Sequence, residues 1–217
     1  MPRGRKKAED PATARRILAA AEQHFAARGL AGARTEEIAA AAHANKAMLY
    51  YYFGNKRRLH RAVLENLFRQ LRMRVLTPAA NKSSAGEEFF RYVTGYFDFL
   101  ATHPNYPRLV QREAMEESAK FDWMVREHFR PLHRKLAGAI EKAIKSGDFR
   151  EVDADQTAFI TLGMVTSYFA GAPIMGRVMG RDLLSPEAVE QRKRALLDFL
   201  DHGLMRNRLA RERSRMR

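Results

Sequence analysis

Lys46, Tyr50 and Tyr51 stand close together in the chain, and Lys56, Arg57 and Arg58 follow them after a Phe-Gly-Asn joint. Cations and phenols in that order suit one chemistry, the holding of a polyanion. Ammonium and guanidinium groups neutralise phosphates, tyrosine hydroxyls donate to phosphate oxygens, and tyrosine rings pack on sugars. Three consecutive tyrosines, Tyr50 to Tyr52, cannot all lie on the buried stripe of one helix. Tyr52 and Phe53 share a face with Leu49 and belong inward, so Tyr50 and Tyr51 look outward, to phosphates or simply as surface. Lys56, Arg57 and Arg58 open the next helix, at the pole where the macrodipole disfavours cations. An anion there would relieve the conflict, because free backbone N–H groups and side-chain cations converge on it.

Charge is distributed to match. Of a formal +14, residues 1–74 hold 16 Lys/Arg against 6 Asp/Glu, and the tail 206–217 holds 6 Arg against Glu212, so the stretch between is nearly neutral. A basic head and a basic tail on a neutral body are the footprint of a polyanion-binding module attached to something else. The 217 residues contain no cysteine, which excludes disulfides and thiolate metal sites. No unbroken apolar run approaches the roughly 18 residues that span a bilayer, and "MPRGRKKAED" lacks a signal peptide's apolar segment, so a cytoplasmic protein is expected.

The elements that must position these residues read as helices throughout, giving an all-α expectation of about nine helices. Residues 1–10 read as a disordered basic arm, 11–58 as a DNA-binding head, 59–206 as a body and 207–217 as a basic tail. Pro11 to Arg28 carries Ile17, Leu18, Ala21 and Phe25 on one stripe, with Gly29 as its stop. Thr35, followed by Glu36 and Glu37, reads as the N-cap of a short helix through Ala42. Asn45 caps a third helix and Asn55 a fourth, the latter spaced by Leu59, Val63, Leu67, Leu71 and Val75. The joint between the second and third helices is that of a helix-turn-helix, with Ile38, Ala39, Ala42, Ala44, Leu49 and Tyr52 inward. Past the "TPAANKSSAG" punctuation, helices are expected at 84–102, 105–117, 119–146 (bent or broken near Pro131), 153–171 and 186–206. Ser84 with Glu87, Asp153, and Ser185-Pro186-Glu187 supply their start signals.

The stretch "ILAAAEQHFAARGLAGARTEEIAAAAHANKAMLYYYFGNKRRLHRAVL" closely resembles the DNA-binding region of tetracycline-repressor (TetR) family regulators. The likeness rests on Phe25, Gly29, Thr35-to-Ala39, Leu49-Tyr50, Tyr52-Phe53 and Lys56. It implies an all-helical homodimer in which a ligand-binding body controls the DNA grip of two heads. Thr35, Tyr50, Tyr51 and Lys56 match phosphate-contact positions, Lys46, Ala47 and Met48 match base-edge positions, and Glu36 is placed to face a base. The family's joint carries Gly followed by Val, where this chain has His43-Ala44. A positive φ at His43 costs about 1 kcal/mol, and a looser turn is expected. The resemblance also implies a repressor of a palindromic operator, released by a small molecule.

In the body, the pocket candidates are Tyr92, Tyr96, Phe99, Leu109, Arg112, Glu113, Met115, Glu116, Trp123, Met164 and Tyr168, a set that suits a hydrophobic or aromatic effector. Trp123 reads more readily as a core anchor than as a ligand contact, and Arg112 with Glu113 reads equally as a surface pair. The faces of 153–171 (Phe159, Leu162, Gly163, Thr166, Phe169) and 186–206 (Val189, Leu196, Leu197, Leu200, Leu204) suit a four-helix dimer seam or packing within one chain. The seven histidines show no metal spacing, and there is no phosphate loop or nucleophile elbow, so neither enzyme activity nor a metal or cofactor is expected. The competing class is a basic helical protein that binds nucleic acid or an anionic membrane surface by charge alone.

Overall fold

The computed structural model describes residues 11–76, 83–116 and 119–206. The expected arm at 1–10, the tail at 207–217 and most of the 77–86 punctuation lie outside them. Among the described residues the chain is helical apart from one antiparallel bridge, Phe149 to Met205. It divides into two compact units, with the cut between Phe68 and Arg69 inside the fourth helix.

In the first unit, α1 (Pro11–Gly32), α2 (Thr35–Ala41), α3 (Lys46–Phe53) and the start of α4 (Lys56–Leu76) enclose one small core. Ile17, Ala21, Phe25, Ile38, Leu49 and Leu59 are completely buried there. Each large side chain so buried contributes about 1.5–3 kcal/mol. The ring of Phe25 meets His60 edge-on at 4.7 Å. Gly29 leaves the helical conformation as expected (φ 69°), but a further turn follows through Gly32, with the Ala33 amide donating to the Gly29 carbonyl at 3.2 Å.

The expected cap at Thr35 is displaced by one residue. Arg34 is the extended residue before α2 (φ −104°, ψ 130°), and Thr35 is the first helical position, buried and without a capping bond. Ile38, Ala39, Ala42 and Leu49 are buried as expected. Ala44, Tyr52 and Phe53 are only half-buried, the two rings lying 6.3 Å apart where α3 ends against the positive-φ turn at Gly54. His43 does adopt positive φ (50°), and the amides of Ala42, His43 and Ala44 close back on the α2 carbonyls. This left-handed residue after α2 lets three carbonyls find donors within the turn.

The second unit contains the end of α4, α5 (Ala85–Thr102), α6 (Tyr106–Met115), α7 (Ala119–Met124), α8 (Arg130–Lys145), α9 (Ala154–Met179) and α10 (Pro186–Leu204). Ser84 and Glu87 form the expected capping box, with reciprocal bonds of 3.2 and 2.8 Å. Asp153 and Ser185 accept the amides of Gln156 and Ala188 as caps of α9 and α10. A Cβ at Gly95 would lie 2.7 Å from the Arg74 carbonyl oxygen, so α5 crosses the last turns of α4 at backbone contact. Only glycine admits that approach.

The expected 119–146 helix is two helices joined by a π-helical turn at Val125–Phe129, which ends two residues before Pro131. Pro131 has no amide to give to the carbonyl four residues back, which favours the wider turn there. In contrast, Pro173 does not end α9; the helix runs eight residues past the expected 171 and stops at Gly180 (φ 64°). By length and composition α9 could cross a membrane, yet its inner face, including Thr161, Val165 and Phe169, packs inside the unit against α5 and α8.

Of the faces expected at a seam, Phe169, Leu196, Leu200 and Leu204 are buried within the chain. Phe159 of the expected face (70 % exposed) points outward, as does Phe199 (63 %), which is not among the expected residues. Ile160, Gly163, Ser167, Ile174 and Val178 continue the outward stripe along α9, and a Cβ at Gly163 or Gly171 would meet nothing.

Candidate nucleic-acid interface

The Asn45 side chain accepts the Met48 amide at 2.8 Å and fixes the first turn of α3. Leu49, fully buried, then sets the rotation of the helix. With that face turned in, Lys46 and Ala47 are exposed, Met48 is at the edge, and Tyr50 (39 %) and Tyr51 (67 %) project outward. Four of the eight candidate residues form one cluster. The Thr35 hydroxyl lies 3.4 Å from the Tyr50 hydroxyl and 3.3 Å from the Glu36 carboxylate. The Lys46 ammonium pairs with Glu36 and sits 5.8 Å from the Tyr50 ring centroid. That hydrogen bond from Lys46 holds the Glu36 carboxyl below its ordinary range, and Glu36 in turn raises Lys46, so both stay charged near neutrality. The result is an outward surface of hydroxyls, an ammonium and rings, carried on two short helices whose inner faces share one core.

Lys56 has a role inside the fold. Its ammonium donates to the carbonyls of Ala31 and Ala33, at 3.1 and 3.0 Å, closing the chain end that leaves α1. Arg57 and Arg58 are exposed beside it, and the Arg58 amide is capped by Asn55 at 2.9 Å. Sequence reasoning also missed Arg16, which donates to the Ala42 carbonyl (3.1 Å) and to Thr13 (2.7 Å), and so ties the end of α2 to α1. The one available signal was general: the last carbonyls of a helix need donors.

The pocket candidates are scattered over several environments. Tyr92, Tyr96, Phe99 and Leu109 are buried, and the Tyr96 hydroxyl is 2.8 Å from that of Thr166. Burial raises the Tyr96 and Tyr106 hydroxyls above their ordinary value, keeping both neutral. Glu113 is buried with the Lys120 ammonium 2.8 Å away, whereas Arg112, Met115 and Glu116 are exposed. Trp123 is half-buried, edge-on to His128 at 4.8 Å. Met164 and Tyr168 are half-buried on α9, and Tyr168 borders a cavity between α9 and α10.

The chain resembles known proteins in both units. Residues 17–63 match the bacterial regulatory proteins of the tetR family, and residues 86–200 match the tetracyclin repressor-like C-terminal domain. Over 110 residues the chain is 40 % identical to the HTH-type transcriptional repressor SCO4008 of Streptomyces coelicolor, covering 50 % of this chain. The match takes in 54 % of that protein, so the chain spans about half the length of this relative. A proposed transcriptional regulator of Saccharomonospora viridis in complex with choline aligns at a TM-score of 0.72, over 91 % of this chain and 100 % of its own, with 20 % identity. AibR, in complex with isovaleryl coenzyme A and operator DNA, aligns at 0.62 over 73 % and 86 % with 24 % identity. At such identities the likeness is one of fold. The C-terminal match alone takes in more than half of the chain and the N-terminal match contains the whole α2–α3 unit; this chain belongs to the TetR family.

Proposed function

We propose that this chain is a cytoplasmic transcriptional repressor that binds a palindromic DNA operator as a homodimer and is released by a small molecule. The observation that carries the reading is the outward face of α3, where Lys46, Tyr50 and Tyr51 stand beside Thr35 with no apolar cover. Tyr50, Tyr51, Thr35 and Lys56 serve phosphates, with Arg57 and Arg58 adding charge. Lys46 donates to a guanine O6 and N7, Met48 and Ala47 meet a thymine methyl, and Glu36 orients Lys46 and accepts from a cytosine amine.

The homodimer is supported by the stripe of Phe159, Ile160, Ile174, Val178 and Phe199, which nothing in the described chain covers. Large apolar side chains at helical spacing beside glycines suit close packing against the same two helices of a second copy. Control by a ligand follows as a population shift, with α4, continuous through both units, as the lever. The compared structures are in complex with molecules as unlike as choline and isovaleryl coenzyme A, so an effector class is argued from this chain's own residues. The buried aromatics of the second unit favour an apolar or aromatic body.

The test is fluorescence anisotropy at about 150 mM salt, using DNA from immediately upstream of the chain's own gene against a shuffled fragment. A preference of about 10³, lost in Tyr50→Ala, is expected. Equal affinity for several candidate operators and the shuffled fragment, unchanged in the variant, would reduce the head to a binder of charge alone. Light scattering on the same sample should give twice the chain mass.

A further inference from the structure

Between the C-terminal half of α9, the loop after it and the first half of α10 lies a cavity of about 540 Å³, within the range that holds small organic ligands. Its walls are of two kinds. Met175, Met179 and Leu183 supply apolar surface, while Arg181 and Arg192 supply two guanidinium groups. No carboxylate lines it, and among the described residues neither arginine forms an ion pair. Asp182, on the same loop, is engaged with the Leu184 amide at 2.8 Å.

Arg192 lines the cavity with part of its hydrogen-bonding capacity unused. Its guanidinium stands 5.3 Å from the Tyr168 ring centroid, and one terminal nitrogen reaches the Met164 carbonyl only at 3.5 Å. Its Nε is buried with no hydrogen-bond partner. A buried guanidinium donor is costly to leave unpaired, and a carboxylate offers the fork-shaped acceptor that it fits best. The cavity is held open by the Tyr168 hydroxyl, which donates to the Leu183 carbonyl at 2.5 Å, and by the close return of the chain at Gly176, where a Cβ would meet the Arg181 carbonyl at 2.9 Å.

We propose that this cavity binds a small carboxylate with an apolar body, the anionic end on Arg192 and Arg181 and the body on Met175, Met179 and Leu183. The inference deepens the proposed function by naming an effector class, and rests on it for any effect on DNA. Ser167 and Met175 join the cavity to the outward stripe of α9, so a ligand there touches the edge of the proposed dimer seam.

Isothermal titration of the full chain with sodium decanoate, sodium 2-naphthoate, decyltrimethylammonium and inorganic phosphate tests the proposal. One carboxylate per chain should bind with a micromolar to submillimolar constant, while the cation and phosphate bind at least about tenfold more weakly. The two carboxylates distinguish a flexible body from a ring. Arg192→Gln should weaken binding about tenfold or more, and Ala195→Phe, which fills the cavity from an exposed position, should abolish it without moving the melting temperature. Binding that is unchanged in both variants, equal binding of the cation, or no binding up to about 1 mM would overturn it. Operator binding measured on the same samples separates the two claims: specific DNA binding without carboxylate binding sinks only the cavity, and the reverse sinks only the repressor.

Discussion

Lys56 is asked to do two things, and replacing it with Met separates them. In the free chain its ammonium closes two carbonyls at 3.0 and 3.1 Å. Charge-assisted bonds of this kind in a half-exposed site contribute about 1 kcal/mol in total, so Lys56→Met should lower unfolding stability by about that amount. The proposed phosphate contact carries a different signature. A dimer presents Lys56 twice, and each neutralised phosphate adds about 0.9 to the slope of log K against log salt. The variant's slope should therefore be shallower by about 1.8, which between 50 and 200 mM salt makes the wild type lose about twelvefold more affinity than the variant. Anisotropy with one operator fragment over that range reads the slope, and circular dichroism checks the fold. A variant that is less stable but keeps the wild-type slope would refute the contact and leave Lys56 a purely structural clasp. Arg57→Met, at an exposed neighbour, is the comparison for an ordinary backbone-binding cation.

His43→Gly should stabilise the chain by about 0.5–1 kcal/mol, since relief of the left-handed strain outweighs glycine's extra entropy in the unfolded state; chemical denaturation measures it, and a loss of stability would mean that the His43 side chain makes a contact of value. Gly95→Ala should cost about 1–3 kcal/mol, because its Cβ would press on the Arg74 carbonyl and one helix must shift; an unchanged denaturation midpoint would show that the crossing is looser than described. His103, stacked on Phe99 at 4.5 Å, has its pKa lowered, chiefly by burial and then by Arg74. The folded state thus binds a proton less readily than the unfolded one, so its contribution is present above the unfolded value of 6.5 and is lost as pH falls through the folded value. Melting at pH 5 against pH 7 should show this loss, and His103→Gln should flatten it.

Local signals were the legible ones. Asn45, Ser84 with Glu87, Asp153 and Ser185 all cap the helices their sequence neighbourhoods announce, because a cap is decided within four residues. The split of the tyrosines was legible too, since Leu49 fixes which side of α3 faces in. Thr35 failed as a cap because its hydroxyl is near Tyr50, fifteen residues away, and no local rule sees that partner. Lys56 on Ala31 and Arg16 on Ala42 are invisible for the same reason. In the body, α9 runs past its expected end at 171 to Met179, and the outward stripe keeps Phe159 and Gly163 of the expected face while Phe169 turns inward. Buried Leu196 and Leu200 and exposed Phe199 are equally apolar in sequence, and only the position of α5 decides between them.

The uncovered stripe on α9 also sets a clock for the newborn protein. The first unit contains its whole core within the first 68 residues and can close as soon as they leave the ribosome. The stripe belongs to the last third of the chain, and in the proposed homodimer its cover arrives from another molecule. Helices form in about a microsecond, but two chains at about 1 μM that associate at about 10⁶ M⁻¹ s⁻¹ meet only after about a second. For that interval Phe159, Ile174 and Val178 face water on a finished helix. Its backbone is already hydrogen-bonded and offers no strand edge to other chains, so the wait exposes apolar surface without offering a template for β-aggregation.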